Sequence, residues 1–146
     1  MDDDKSIRTT LAAILEQEGY DVDTAEKGEE AIKKSNRKLF DLAVVDMRLP
    51  DMMGVELLGR MMERTPKMQK IILTGFPSME NAISSVNEGA DGYILKPVNT
   101  EVVLTAIRKH LQKREEEAKY SQRKIVEFIE TRAKELETKT QANQSP

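Results

Sequence analysis

Residues 42–54 form the stretch that most constrains the fold of this chain. Four aliphatic residues lead into Asp46, and Pro50 and Gly54 follow it. A short apolar run that is broken by proline and glycine is typical of a buried strand that ends in a loop. In open α/β sheets, ligands bind just outside the carboxyl ends of the strands. We therefore predict that Asp46 lies at the mouth of a sheet, where it is a candidate functional residue.

Strand and helix patterns alternate along the first 111 residues. The predicted strands cover residues 20–25, 42–46, 70–75 and 92–96, and the predicted helices cover residues 5–18, 29–38, 54–63, 79–88 and 100–111. Asp4 is expected to cap the first helix and Gly19 to end it. Such alternation indicates a parallel sheet with helices on both faces, which is an α/β, doubly wound fold.

The character of the sequence changes after Leu111. A charged run over residues 112–124 precedes apolar residues at helical spacing over 125–136. We predict one domain at 1–111, a charged helical extension at 112–140 and a disordered tail at 141–146. The apolar stripe either binds a partner helix or a second copy of the chain, or it packs on its own domain.

Composition excludes several kinds of site and location. The net charge of -3 gives no bulk attraction to nucleic acid, and the absence of cysteine excludes disulfides and thiol nucleophiles. No apolar run approaches the ~20 residues of a membrane span, and no signal segment opens the chain. We expect a cytoplasmic protein with no direct nucleic-acid or membrane contact.

Five polar side chains are expected at one edge of the sheet. Asp46 and Thr74 end neighbouring strands, Lys96 ends the last strand before a proline, and Asp2 and Asp3 precede the first helix. Crowded carboxylates repel one another, so a hard divalent cation, Mg²⁺, is the expected neutralising partner.

This set of groups favours phosphoryl transfer to a carboxylate. Mg²⁺ and the Lys96 ammonium would offset the charge of a phosphoryl group arriving at Asp46, which acts as the nucleophile. Thr74 could donate its hydroxyl to a phosphoryl oxygen and thereby reset the following loop. We interpret Asp46 as a phosphoryl acceptor.

With these motifs, residues 2 to about 111 resemble the receiver domain of a two-component response regulator. The matching segments are the acidic pair followed by residues 6–8, then residues 44–54, 73–75 and 92–97. The resemblance implies a flavodoxin-like fold and a signalling switch that receives phosphate from a histidine kinase or a small phosphodonor. It implies no enzymatic activity beyond self-catalysed phosphorylation and dephosphorylation of the aspartate.

The resemblance also implies roles for individual residues. Asp3, Asp46 and the backbone carbonyl of Arg48 would hold Mg²⁺, with Asp2 assisting. Lys96 would contact the phosphoryl group, and Thr74 and Tyr93 would form the switch that responds to it. The Lys96–Pro97 peptide bond would be cis.

One feature departs from the family pattern. Receivers begin with an apolar strand that occupies the middle of the sheet and runs into the acidic pair, whereas only Met1 precedes Asp2 here. Three explanations stand: the strand at 20–25 pairs directly with the strand at 42–46, another chain fills the gap, or Met1 is an internal residue of a longer protein. We favour the third, and for this chain we expect weakened Mg²⁺ binding and reduced stability.

Two other functions compete with this interpretation. The first is a receiver-like interaction module that is not phosphorylated and has an impaired magnesium site. The second is a haloacid-dehalogenase-like phosphatase, which also uses an aspartate nucleophile at a strand end. That class needs a second acid two residues later, and Arg48 occupies the position here.

Overall fold

The computed structural model describes residues 1–64, 68–75, 78, 87 and 89–144. Its elements, in chain order, are α1 Lys5–Gln17, α2 Gly28–Arg37, β1 Leu42–Asp46, α3 Gly54–Arg64, β2 Gln69–Thr74, β3 Gly92–Leu95 and α4 Thr100–Gln144. Among the described residues, no helix has the length and apolar character needed to cross a membrane.

The three strands form a parallel sheet in the order β1-β2-β3. The central strand β2 is buried along its whole length, because strands covered by helices on both faces carry nearly continuous apolar side chains. The predicted α/β parallel sheet is therefore confirmed. Since all strands point the same way, their carboxyl ends share one edge of the sheet.

Each face of the sheet has its own apolar core. On one face, Val45 and Ile72 pack with residues of α3 such as Leu57 and Leu58. On the other face, Ile71 and Leu73 pack with residues of α4 such as Val103. Alternate side chains of each strand point to opposite faces, which divides the apolar residues between the two cores.

Helix α1 begins and ends as the sequence predicts. The Asp4 carboxylate accepts from the amides of Ser6 at 2.9 Å and Ile7 at 3.3 Å, and Gly19 ends the helix with a φ of 92°. No residue of α1 is fully buried, although its apolar face is clear in the sequence. The apolar face of α1 is therefore only partly covered by the rest of the protein.

The predicted strand at residues 20–25 is wrong: the structure forms no strand there, and it does not pair with β1. The reason is the missing neighbour, because a strand needs a continuous partner at hydrogen-bonding distance. Among the described residues, Met1 and Asp2 lie between this segment and β1. The Met1 amino group donates to the Val44 carbonyl at 2.8 Å, and the amide of Asp2 donates to the Ala25 carbonyl at 3.2 Å.

The predicted helix at 79–88 falls on residues that are not described, apart from Asn87. The glycine expected to close that helix, Gly89, has a φ of 95°, in the left-handed region that favours glycine. The predicted helix end at Thr65 and Pro66 also lies outside the described residues.

The last predicted helix and the charged extension form one continuous helix, α4. The chain divides into two compact units, Met1–Gln112 and Lys113–Pro146. In the second unit, residues 115–139 are exposed. The helix continues to Gln144, past residue 141 where a disordered tail was predicted, because alanine and glutamine there have good helix propensity.

Candidate functional site

Backbone hydrogen bonds fix the carboxyl edge of the sheet beyond the ends of the strands. The amide of Met47 donates to the Leu73 carbonyl at 2.8 Å, and the amide of Lys96 donates to the Thr74 carbonyl at 2.7 Å. These bonds extend both parallel ladders by one residue. They hold the side chain that ends β1 and the side chain that follows β3 at a fixed separation.

An ion cluster occupies this edge. The Lys96 Nζ lies 2.9 Å from Asp46 Oδ2 and 3.3 Å from Asp2 Oδ2. Asp46 is 7% exposed and Asp2 is 3% exposed. Buried charges are costly unless they are paired, so one ammonium is shared between two buried carboxylates.

The pKa values in the cluster reflect this balance. Burial raises the pKa of Asp46 above its ordinary value, and the charge of Asp2 adds to the effect, although the hydrogen bond from Lys96 opposes both. Burial lowers the pKa of Lys96, but its hydrogen bonds and the two carboxylate charges outweigh burial and raise that pKa overall. The negative charge of Asp2 thus acts on both groups, and an added cation would offset it.

Three carboxylates lie close enough together for one cation to contact all of them. One oxygen each from Asp2, Asp3 and Asp46 lies within 4.8 Å of the others. Asp3 is exposed, so the group opens to solvent on one side. An all-oxygen donor set that is open to water suits Mg²⁺, which keeps several of its own waters. The residues predicted as carboxylate ligands are therefore brought together.

The loop after Asp46 is held tightly against β1. The amide of Arg48 donates to Asp46 Oδ1 at 3.3 Å, and the amide of Gly54 donates to the Met47 carbonyl at 2.7 Å. A Cβ atom at Gly54 would clash with the carbonyl oxygen of Asp46. Glycine is required at this position because the two backbone segments approach so closely.

Asp51 contributes to the same loop in a way that the sequence did not reveal. Its carboxylate accepts from the amides of Gly28 at 2.8 Å and Glu29 at 3.0 Å, which caps the amino end of α2. These two hydrogen bonds lower the pKa of Asp51. Because 22 residues separate Asp51 from Glu29, local capping patterns could not identify it.

Two groups near the amino terminus hold the acidic pair. The Arg8 guanidinium donates to the backbone carbonyl of Asp2 at 2.8 Å, and the carbonyl of Met1 accepts from the amide of Asp46 at 2.9 Å. Burial lowers the pKa of the Met1 ammonium to about 6, although the charges of Asp2 and Asp46 oppose that shift. No sequence pattern pointed to the role of the Met1 backbone.

The predicted switch residues lie on neighbouring strands. Thr74 ends β2 and is buried, and Tyr93 lies in β3 beside Ile72 of β2. The Tyr93 ring packs against the core that contains Val45. Its hydroxyl is buried and has no hydrogen-bond partner among the described residues. The Lys96–Pro97 peptide bond is cis.

Comparison with known proteins identifies relatives of the first 108 residues. A sequence model described as response regulator receiver domain matches residues 1–108. The transcriptional regulatory protein GlrR of Escherichia coli K12 is 35% identical over 107 residues, which cover 73% of this chain and 24% of that protein. The chain thus spans about a quarter of the length of that relative.

Solved structures show the same similarity. A CheY-like response regulator receiver domain protein from Methanospirillum hungatei JF-1 is 44% identical, with a TM-score of 0.77, and the match covers 80% of this chain and 93% of that one. A response regulator protein from Burkholderia pseudomallei, solved with a phosphorylated aspartic acid, a calcium ion and citrate, is 32% identical. Its TM-score is 0.70, with coverage of 80% of this chain and 69% of that one.

Proposed function

Because the chain belongs to the response regulator receiver domain family, we propose that it is a phosphorylation-dependent signalling switch whose phosphoryl acceptor is Asp46. Receiver domains of two-component systems interact with sensor kinases, so the donor is a kinase phosphohistidine or a small phosphodonor. The observation that carries the proposal is the paired position of the Asp46 carboxylate and the Lys96 ammonium inside a cluster of three acids. We propose that this step takes place in the cytoplasm.

The reaction forms one bond and breaks one. A carboxylate oxygen of Asp46 attacks phosphorus as the bond from phosphorus to the histidine nitrogen breaks, and the bonding electron pair stays with the imidazole. The product is an acyl phosphate on Asp46. Phosphoryl transfer requires mainly positioning and charge stabilisation, and the hydrogen bonds around β1 already fix the nucleophile.

Residues of this chain then hold the phosphoryl group. Lys96 moves its ammonium from the carboxylate to a phosphoryl oxygen, and Thr74 donates its hydroxyl to another. The Tyr93 ring would change its position beside β2 in response to that movement, and Tyr93 would thereby act with Thr74 as the switch. Asp3, Asp46 and the Arg48 backbone carbonyl, with Asp2 assisting, would hold Mg²⁺, which would supply positive charge near the transferring oxygens.

Two further observations support the proposal. Three carboxylates lie close together and Lys96 pairs with two of them, so a divalent cation would offset the repulsion among the acids. The similar Burkholderia pseudomallei protein carries a phosphorylated aspartic acid and a calcium ion in its structure.

Beryllofluoride with Mg²⁺ tests the proposal, because it occupies an acyl-phosphate site without a covalent reaction. We expect saturable chemical-shift changes at the amides of Thr74 and Tyr93 when both components are present. Asp46→Asn is the matched control and should remove the changes. Identical shifts in the two proteins would overturn the assignment of Asp46.

A receiver-like interaction module without phosphorylation is the second candidate. Asp3 is exposed and the acidic pair follows directly after a single ladder residue, Met1, so the magnesium site is less firmly held than Asp46. Absence of any response to beryllofluoride in a folded protein, together with unchanged spectra on adding Mg²⁺, would favour this candidate.

We propose that the chain consists of a receiver domain at 1–111 followed by a charged helical extension at 112–140. Its exposed apolar side chains lie over residues 125–136: Ile125, Val126, Phe128, Ile129 and Leu136. We propose that this stripe binds a partner helix or the helix of a second copy, because apolar patches of this kind mark protein interfaces. If the occupant is a second copy, sedimentation should show a dimer that Ile129→Asp disrupts and that Thr131→Asp, on the other side of the helix, leaves intact.

A further inference from the structure

Helix α2 begins after a residue whose side chain cannot cap it. The N-cap residue is Lys27, and its side chain makes no capping hydrogen bond in the part of the chain that the structure describes. A lysine ammonium carries donors and no acceptor, so it cannot bond to an amide. Because the first amides of a helix have no partners within the helix, α2 needs an acceptor from elsewhere in the chain.

That acceptor comes from the loop after Asp46, which we call the Asp46 loop, residues 47–53. Asp51 Oδ1 accepts from the amide of Gly28 at 2.8 Å, and Asp51 Oδ2 accepts from the amide of Glu29 at 3.0 Å. Because each oxygen has its own donor, both the position and the orientation of the carboxylate are fixed. One side chain thus joins the Asp46 loop to the start of α2.

Met52, the next residue of the Asp46 loop, adds an apolar contact at the same helix end. Its side chain is buried and lies against the backbone of Gly28, where an added Cβ atom would clash with it. Glycine allows this close approach because it has no side chain. Two adjacent residues of the loop therefore hold the amino end of α2, one by hydrogen bonds and one by packing.

Hydrogen bonds across the Asp46 loop place Asp51 at the tip of a closed turn. The Leu49 amide donates to the Met52 carbonyl at 3.0 Å, and Arg48 pairs with Met53 in an antiparallel bridge. The two sides of the turn are thus bonded to each other. A tip that is fixed on α2 therefore also restrains the side that carries Arg48.

Arg48 connects this turn to the ion cluster. Its amide donates to Asp46 Oδ1 at 3.3 Å, and its backbone carbonyl is a magnesium ligand in the proposed function. A backbone carbonyl has no rotamers of its own, so its direction depends on the φ and ψ angles of the loop. The groups that fix the loop therefore also fix the direction of this ligand.

The start of α2 also reaches the acidic pair. The Ala25 carbonyl, shortly before Gly28, accepts from the Asp2 amide at 3.2 Å, and Ala25 is buried. The contacts of Asp51 thus lead to the site by two routes. One passes through the Asp46 loop to Arg48, and the other passes through the start of α2 to Asp2.

Asp51 lies outside the acidic group at the site. Among the described residues, that group consists of Asp2, Asp3 and Asp46. Both oxygens of Asp51 accept from backbone amides of α2 instead. Any influence of Asp51 on a cation at this edge therefore acts through the backbone that it holds.

From these contacts we infer that Asp51 is a positioning residue for the magnesium site, because it fixes the Asp46 loop on α2 and thereby orients the Arg48 carbonyl toward the cation. The inference rests on the proposed function, in which that carbonyl and the acids hold Mg²⁺. Groups that orient a metal ligand without touching the metal contribute about 10- to 100-fold to metal affinity.

Three variants separate positioning from charge and from helix capping. Asp51→Ala removes both acceptors, whereas Asp51→Asn removes the charge but keeps one carbonyl oxygen as an acceptor. Glu30→Ala is the matched control. The Glu30 carboxylate accepts from the Glu26 amide at 3.1 Å, so this variant also removes a side-chain acceptor at the start of α2, but one that lies outside the Asp46 loop.

Isothermal titration should show that Asp51→Ala binds Mg²⁺ about tenfold more weakly than wild type. Asp51→Asn should stay within about threefold of wild type, because asparagine caps helices about as well as aspartate. Glu30→Ala should keep the wild-type affinity. Without Mg²⁺, hydrogen exchange at the Arg48 amide should be about tenfold faster in Asp51→Ala than in Glu30→Ala.

Three results would overturn the inference. The first is wild-type magnesium affinity together with wild-type exchange at Arg48 in Asp51→Ala. The second is equal weakening in Asp51→Ala and Asp51→Asn, which would assign the effect to the lost charge. The third is equal weakening in Asp51→Ala and Glu30→Ala, which would assign the effect to the capping of α2 alone.

Failure of the proposed function gives a different pattern. If wild type binds Mg²⁺ but takes no phosphoryl group from acetyl phosphate, the proposed function is wrong, and the order of the magnesium affinities still decides the inference. If wild type is phosphorylated and Asp51→Ala matches it in affinity and exchange, the inference alone is wrong. If wild type binds no Mg²⁺, both are wrong.

Discussion

Lys96 contacts two carboxylates that the chain holds in very different ways. Asp46 ends a strand whose partner β2 is buried along all its residues, and the loop behind it is locked by Gly54. Asp2 follows one ladder residue, Met1, and lines a cleft of about 400 Å³ that residues 20–25 and β1 also line. The same ion cluster thus joins a rigid half, built from β1, β2 and β3, to a poorly supported half, built from α1 and residues 20–25.

The difference shows what a central strand does in a parallel sheet. In the rigid half each strand has a neighbour, and the central strand β2 buries all of its side chains in the two cores. In the poorly supported half, α1 has a capped start, a glycine end and an apolar face, but no fully buried residue. The cap, the glycine and the apolar face are therefore enough to form the helix, but they do not bury its side chains against the rest of the protein.

Truncation of one large side chain in each half should give the largest difference between the halves in the loss of unfolding free energy. Ile72→Ala in β2, where the side chain is 0% exposed, should destabilise the protein by about 3 kcal/mol because it leaves a cavity. Leu11→Ala in α1, which is half-buried above the cleft, should cost about 1 kcal/mol. Urea denaturation measures both, and equal losses would mean that α1 is as well packed as the sheet.

Magnesium should stabilise the protein through the acids of both halves. At 100 times its dissociation constant, Mg²⁺ should add about 2.7 kcal/mol to the free energy of unfolding, and EDTA should remove that gain. Asp46→Asn should abolish it, whereas Asp3→Asn should weaken the affinity about tenfold, a change of ~1.4 kcal/mol.

Isothermal titration with Mg²⁺ measures the magnesium affinity of each variant and so tests the order of the two effects. Unchanged magnesium affinity in Asp3→Asn would show that the exposed acid is not a ligand. Unchanged affinity in Asp46→Asn would remove the buried acid from the site as well.

The cap of α1 should affect one half only. Asp4→Ala removes the acceptor for the Ser6 and Ile7 amides and should cost about 1 kcal/mol. Hydrogen exchange should accelerate within α1 and stay unchanged in β2, because the two elements are weakly coupled. Equal acceleration in both would mean that they unfold as one unit.

The smallest effect is a pH dependence at Asp51. Its pKa is lowered from an ordinary value of 3.8 by the Gly28 and Glu29 amides, so its stabilising contribution is present above that value. The contribution is lost as the pH falls through the folded-state pKa. Between about pH 5 and about pH 3, wild type should lose more stability in urea denaturation than Asp51→Asn. Parallel losses would show that the cap is not formed.

Much of the rigid half could be predicted from the sequence. The aliphatic runs before Asp46 and Thr74 carry a pattern that only a strand buried on both faces requires. Because parallel strands end at one edge, the convergence of Asp46 with Lys96 followed from topology alone. The sequence pattern predicted a break in the strand near Gly54. It did not reveal why glycine is needed there, which is the close approach of the Asp46 carbonyl.

The other half was predicted less well because its structure depends on long-range pairing. Residues 20–25 alternate as a strand does, but alternation describes side chains and does not supply a hydrogen-bonding neighbour. The Asp51 cap joins segments far apart in the chain. The ladder bonds of Met1 use only backbone atoms, which carry no sequence signal.

Mass spectrometry of the intact protein after incubation with acetyl phosphate and Mg²⁺ tests the central claim most directly. We predict that wild type gains the mass of one phosphoryl group, that EDTA prevents the gain, and that Asp46→Asn shows none. A single phosphoryl group retained in folded Asp46→Asn would contradict the account.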